Sequence, residues 1–372
     1  MIDVFRFTCA LDPLYGGVPQ GISSISKGTN EYGISTTIIS CGNSRKVRLR
    51  NCKLVEDLID HNVRVISSKA LFTNPYGLGG IFRVTLQLLR INKPKMVVIH
   101  QIWSMSTFLA YAYSRIFSIN YVVMPHGSLS KYHMIKKRKL KRTVYSLFIK
   151  KVLEKASKIV VTSRLELDDL EEYFIPKVSI IPYAVSPQAV SCDSRVDNQI
   201  LFASRLAEKK NLDKIIRAIP LIRKQIDDVT LIVAGDGPKS EVDRIKNLVA
   251  ELGLEKEIKL LGWLGRTDLG LVMSQSQVFV LPSEYENFAH SVMECLASGT
   301  PAVISNRVAL AEIVGKYNAG VVINKSTPTA IADAVVSSLN NFENLSVNAM
   351  EAAVKEFGWD TVGLAWRKLI EH

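Results

Sequence analysis

Short Val/Ile-rich runs alternate along the chain with longer stretches of helical periodicity, the pattern of parallel sheets built from strand–helix–strand units. In the first half the runs predict strands over Ile2–Thr8, Ser35–Cys41, Val63–Ser68, Lys95–Gln101, Asn120–His126, Lys158–Arg164 and Val178–Ala184. In the second half they predict strands over Gln199–Arg205, Val229–Gly235, Ile258–Gly262, Val278–Ser283, Ala302–Asn306 and Gly320–Ile323. Helical patterns such as Asn211–Gln225 and Lys239–Leu252 fill the gaps. Residues 185–198, with Ser-Pro, Ser-Cys-Asp-Ser and little apolar periodicity, read as a linker. The expected domains are therefore 1–184 and 199–358, with 359–372 a C-terminal helix that could pack back on the first domain. The fold class is α/β, two doubly wound parallel-sheet domains facing across a cleft. Ligands of such folds bind outside the carboxyl ends of the strands, so site residues should sit just after strands.

Composition narrows the class. With 372 residues, 47% hydrophobic and 22% charged, the chain can bury large cores without staples, which excludes disordered and low-complexity classes. Five cysteines (Cys9, Cys41, Cys52, Cys192 and Cys295) are scattered without a CxxC pair, which argues against a disulfide framework or a zinc finger and fits a reducing cytoplasm. The opening stretch reads as a strand carrying Asp3 and Arg6, not as a secretory leader. The most apolar window, Thr107–Pro125, contains Arg115 and Asn120 and divides into a buried helix and a strand, not a membrane span.

Charge is unevenly placed. The formal net charge is +12, yet Lys131 to Lys158 alone holds eleven Lys or Arg against one acid, Glu154. The other 344 residues hold 36 bases and 34 acids. An island of this kind is a docking surface more than a general property. Within it Leu140, Val144, Leu147, Phe148 and Leu153 recur at helical spacing, so an apolar stripe on the sheet beneath a charged face is one expectation. A surface for anionic lipid is the sharper one. Nucleic acid is disfavoured, because no recognised motif accompanies the charge.

Candidate chemistry lies where the fold class places it. Gly16 and Gly17 follow the first strand and open a helix, which lets a ligand approach the backbone and helix N-terminus. Arg205 ends a strand and Lys210 opens the next helix, two cations suited to a diphosphate. Glu286 follows another strand. With a helix starting near Phe288, Glu294 is expected to point into the cleft, and the backbone of Asn287, Phe288, Ala289 and His290 to form the helix N-terminus. Carboxylates accept from sugar hydroxyls, and free N–H groups suit phosphate. His126 precedes Gly127 at a strand end, and His100, with Gln101, Ile102 and Trp103, is a candidate for lining an acceptor site.

These elements resemble the retaining glycosyltransferases of family 4, which have the GT-B fold. The resemblance rests on Tyr15-Gly16-Gly17, Pro125-His126-Gly127, Arg205 with Lys210-Asn211, Ala234-Gly235-Asp236-Gly237-Pro238, Leu261-Gly262-Trp263-Leu264, the Glu286…Glu294 stretch and Ser298-Gly299-Thr300-Pro301, in order along nearly the whole chain. One departure is Ala289, where the family usually has Gly; it removes no functional group. The resemblance implies a nucleotide-sugar donor held mainly by the second domain. Arg205 and Lys210 would hold the diphosphate, and Glu294 the ribose. Glu286 with the 287–290 backbone would hold the donor sugar, Gly16 and Gly17 would lie against the phosphates, and His126 would sit near the reacting centre. No metal or other cofactor is called for, since no DxD pair follows a strand. The first-half motifs resemble bacterial capsule and O-antigen enzymes, which implies a polyprenyl-diphosphate-linked glycan acceptor. The location implied is cytoplasmic, on the inner face of the membrane. A GT-B epimerase or phosphorylase is the competing enzyme class, and a basic nucleic-acid-binding module the non-enzyme alternative.

Overall fold

The structure, a computed structural model, describes residues 1–9, 11, 17–43, 53–69, 81–130, 134, 138–185 and 195–371. It divides into two compact units, Met1–Ala184 with Trp359–His372, and Val185–Gly358.

The first unit is a seven-stranded parallel sheet in the order β3-β2-β1-β4-β5-β6-β7. The strands are β1 Ile2–Thr8, β2 Ile34–Asn43, β3 Arg64–Lys69, β4 Met96–His100, β5 Asn120–Met124, β6 Lys158–Val161 and β7 Val178–Ile180. Strands of a parallel sheet are covered on both faces, which explains why their apolar runs are nearly continuous. One face carries Phe5, Phe7, Val97, Ile99, Val123 and Ile159, packed with Tyr113, Ile149, Val152 and Leu153. On the other face, Arg6 of β1 pairs with Val98 of β4, two residues before His100. The helix Trp359–Glu371 returns to this unit, lying against the helix Gly17–Asn30, and the Tyr32 hydroxyl donates to the Asp360 carboxylate.

The second unit is a six-stranded parallel sheet in the order β10-β9-β8-β11-β12-β13. Its strands are β8 Gln199–Ala203, β9 Thr230–Ala234, β10 Ile258–Gly262, β11 Val278–Leu281, β12 Ala302–Ser305 and β13 Gly320–Ile323. Each sheet has a switch point where the strand order reverses: between β1 and β4 in the first unit, and between β8 and β11 in the second. Crevices at such points are where doubly wound sheets bind ligands.

Two expectations are corrected here. Several strands end two or three residues early; β5, for example, ends at Met124 and not His126, because the chain turns there through left-handed His126 and Gly127. Leu140 and Leu147 do not pack on the sheet; they are 61% and 76% exposed. A π-helical turn, Tyr145–Ile149, between the helices Arg138–Val144 and Lys150–Glu154 changes the phase, so that Ile149 and Val152 bury in their place, while Leu153 is buried and Val144 and Phe148 pack against the core as expected. Lys131, Lys136 and Lys137 of the basic island lie outside the described residues, as does 186–194 of the expected linker. Among the described residues no helix is long and apolar enough to cross a membrane.

Candidate functional site

In the second unit two segments meet at the carboxyl ends of β8 and β11. A short 3-10 turn, Glu208–Lys210, ends at Asn211 in the left-handed conformation (φ 56°), and the Asn211 amide donates to the Pro282 carbonyl at 2.7 Å. The Glu284 N–H donates to the Lys209 carbonyl at 2.9 Å. The result is a direct ion pair: the Lys210 ammonium donates to the Glu286 carboxylate, with side chains only 10% and 14% exposed. Burial lowers the Lys210 pKa, and Glu286 opposes that shift; Lys209 and Arg205 lower it further. Arg205 itself is exposed. Glu286 is fixed by its own backbone, whose N–H donates to the Arg307 carbonyl and whose carbonyl accepts from Ala309, both at 3.1 Å.

The neighbouring loops are closed by glycine. A Cβ on Gly235 (φ 147°) would stand 1.9 Å from the Ser204 carbonyl oxygen, so only glycine lets the β9 loop pass the β8 loop that carries Arg205. The Leu206 N–H then donates to the Asp236 carbonyl at 2.9 Å.

After Glu286 the chain passes through Asn287 and Phe288 to Ala289, which is left-handed at φ 69°. The helix therefore starts at His290 and not near Phe288, running His290–Ala297. The N–H groups of Val292 and Met293 already bond the Ala289 carbonyl, so Asn287 and Phe288 lie outside the helical turn. Phe288 is buried against the Phe357 ring at 5.9 Å and His290 at 5.4 Å. Burial drops His290 to a pKa of about 4, leaving it neutral. Glu294, one turn in, is pushed up to about 7 by desolvation, with the Arg266 charge pulling the other way.

In the first unit the residues that come together are His126, His100 and Tyr183. His126 Nε2 stands 2.8 Å from His100 Nδ1, and His126 Nδ1 shares a hydrogen bond with the Tyr183 hydroxyl. The rings stack, with centroids 5.1 Å apart for the two histidines and 5.8 Å for His126 and Tyr183. His100 is fully buried, so it does not line an acceptor surface as its strand-end position suggested. Tyr183 reaches His126 across Gly21, where a Cβ would lie 2.1 Å from its ring. The His126-Gly127 turn is left-handed at both residues (φ 53° and 70°), and the Gly127 N–H donates to Glu166, whose other oxygen accepts from the Thr162 backbone and hydroxyl at 2.8 Å. Gly17 opens the helix Gly17–Asn30; Gly16 lies outside the described residues.

Three relationships escaped the sequence reading. Lys210 and Glu286 were placed in one site but not paired, and Tyr183 and Glu166 went unassigned. Sheet order supplies the missing signal: β8 adjoins β11, and β4 adjoins β5, which brings His100 to His126.

Comparison with known proteins agrees with this organisation. Residues 15–189 match the family model described as "Glycosyltransferase Family 4", and residues 194–355 match "Glycosyl transferases group 1". An uncharacterized glycosyltransferase of Methanocaldococcus jannaschii is 30% identical over 169 residues, 45% of this chain and 43% of that protein. The GDP-mannose-dependent alpha-(1-6)-phosphatidylinositol monomannoside mannosyltransferase of Mycobacterium tuberculosis is 26% identical over 177 residues, 46% of this chain and 44% of that protein. The chain thus spans under half the length of these curated relatives. HepE of Anabaena, solved in complex with UDP-glucose, has the same fold, with a TM-score of 0.76 over 100% of both chains at 16% identity.

Proposed function

The chain belongs to the glycosyltransferases that these two family models describe, and on that premise we propose that it moves a hexose from a nucleotide diphosphate donor to a glycan acceptor with retention. The observation that carries the reading is the buried Lys210–Glu286 pair at the switch point of the second unit, beside exposed Arg205. Breaking the bond between sugar and diphosphate leaves negative charge on the phosphate oxygens. A fixed cation there needs no reorganisation when that charge develops. Lys210 and Arg205 take the diphosphate. Glu286, released in part from Lys210, accepts from the donor sugar hydroxyls, and Glu294 from the ribose. Asn287 to His290 border the sugar.

The acceptor hydroxyl attacks on the face from which the diphosphate departs and gives its proton to a diphosphate oxygen, so no protein nucleophile is named. In the first unit His126 is the candidate for the reacting atoms, and Gly17 for the phosphates. No metal is assigned to the reaction. The acceptor is a polyprenyl-diphosphate-linked oligosaccharide of capsule or O-antigen synthesis, reached from the cytoplasmic face. Exposed Leu140 and Leu147 within the basic island support membrane contact. The phosphatidylinositol-linked acceptor of the mycobacterial relative supports a lipid-linked substrate.

Nucleotide release from UDP-glucose, UDP-N-acetylglucosamine and GDP-mannose tests the reading. One donor should be hydrolysed, and Arg205→Ala should lower its turnover by about 10²–10³, the usual cost of one transition-state contact. Stabilisation by single-stranded DNA, with none by UDP or GDP, would sink it in favour of a nucleic-acid module.

A further inference from the structure

Arg6 lies at the centre of β1 and is 0% exposed. Among the described residues none accepts a hydrogen bond from its Nε, Nη1 or Nη2. The Trp366 ring covers it, 4.4 Å from the guanidinium carbon, supplied by the returning helix Trp359–Glu371. An unpaired buried charge costs stability, and an apolar side chain of similar volume would fit such a site better. A residue kept against that cost invites a functional account.

The neighbour on the same sheet face is His100, two residues beyond the register partner of Arg6. His100 Nε2 is buried and has no hydrogen-bond partner among the described residues, while Nδ1 meets His126. The proton arrangement therefore has two forms. In one, Tyr183 donates to His126, His126 Nε2–H donates to His100 Nδ1, and a buried His100 Nε2–H is left beside a cation. In the other, His100 Nδ1–H donates to His126 Nε2, His126 Nδ1–H donates to the Tyr183 oxygen, and the bare His100 Nε2 lone pair lies near Arg6. A nearby cation favours the lone pair over the N–H, so the second form wins. His100 is held neutral, its pKa well below the ordinary value through burial first and then the His126 and Arg6 charges. Arg6 and His126 are the groups that press on it, and Glu166 acts at the Tyr183 end.

We propose that Arg6 is a positioning residue: a buried cation, covered by Trp366, that fixes the protons along His100, His126 and Tyr183 so that His126 presents one tautomer. The consequence for catalysis rests on the assignment of His126 to the reacting atoms. The tautomer itself does not.

Two-bond 15N–1H correlation on the full chain with labelled histidine reads which ring nitrogens carry protons. In the wild type both His100 and His126 should be protonated at Nδ1. In Arg6→Met the His100 proton should move to Nε2. Donor hydrolysis should then fall at least tenfold in kcat with donor KM unchanged, while the thermal midpoint holds or rises. Arg6→Lys should recover part of the lost rate. Arg6→Gln, neutral and polar, gives the same two readings if the Met variant does not fold. Retention of either the tautomers or the rate without the cation overturns the proposal, as does Nε2–H on either histidine in the wild type. Full activity in His126→Ala would instead overturn the functional assignment of His126, and the spectrum would still decide the tautomer.

Discussion

The Lys210 ammonium donates to the Glu286 carboxylate across 76 residues of sequence, joining the loops after β8 and β11 at the switch point of the second sheet. The pair sets the charge available to a donor diphosphate. Burial alone favours neutral Lys210, and Glu286 is the group that holds the proton on. Glu286→Gln removes that support, so the Lys210 pKa drops further. The alkaline limb of kcat/KM, which reports the free enzyme, should move to lower pH in the variant. A limb that stays where it is in the wild type would show that Glu286 does not govern this charge.

Glu294 gives a stability prediction with a definite sign. In the folded chain its carboxyl loses its proton at about 7, against 4.5 for an ordinary Glu, because it is desolvated. Between those values the folded state keeps a proton that the unfolded chain gives up, so stability falls as pH rises through the window. Above pH 7 the cost is on the order of 3 kcal/mol. Glu294→Gln should therefore raise the thermal midpoint relative to wild type at pH 8 and not at pH 4.5, while donor affinity falls at both. Equal shifts at the two pH values in a thermal melt would contradict the desolvated carboxyl.

Ala289 occupies a backbone position that suits glycine. At φ 69° an L-residue costs roughly 1–2 kcal/mol, offset in part by the about 0.4–1 kcal/mol of chain entropy that a glycine would lose on folding. Ala289→Gly should stabilise the protein by about 0.5–1 kcal/mol, the reverse of a glycine introduced inside a helix. Urea denaturation measures it; a loss of stability in the variant would mean that the loop tolerates Ala289 without strain.

The same residue shows where the sequence was legible. Period-2 and buried-strand patterns located all thirteen described strands, because a parallel sheet covered on both faces leaves nearly unbroken apolar runs such as Val97-Val98-Ile99. The cations at 205 and 210 stood out because paired positive charge after a strand is unusual there, whereas glycine at 235 and 237 entered only through the family resemblance. What local pattern cannot supply is pairing between segments. The His100–His126–Tyr183 set depends on which strands are neighbours, and the burial of Arg6 depends on a helix that returns from residue 359 onward. In the sequence Ala289 is a departure that removes no functional group, whereas its main effect is on the backbone dihedral. Leu140 and Leu147 were given to the core because helical periodicity assumes one phase, and the π turn at Tyr145–Ile149 changes it.

That change of phase separates the two contributions expected in the basic island. Leu140 and Leu147 face outward on a surface that also exposes Lys139, Arg142 and Lys151. If this surface enters an anionic interface, each leucine should contribute about 1.5–3 kcal/mol when buried, a term that salt leaves largely intact. Each cation near the surface should add about 1 kcal/mol, a term screened at physiological ionic strength. Leu140→Ser with Leu147→Ser should therefore weaken co-sedimentation with phosphatidylglycerol vesicles at both low and physiological salt. Replacing Lys139, Arg142 and Lys151 by Gln should weaken it mainly at low salt. Donor hydrolysis in solution should be unaffected by either set, because neither includes a residue assigned to the donor and most of those lie in the other unit, while turnover on a membrane-embedded acceptor should fall with vesicle binding. Wild-type binding in both variants would leave the island as a solvated helix face.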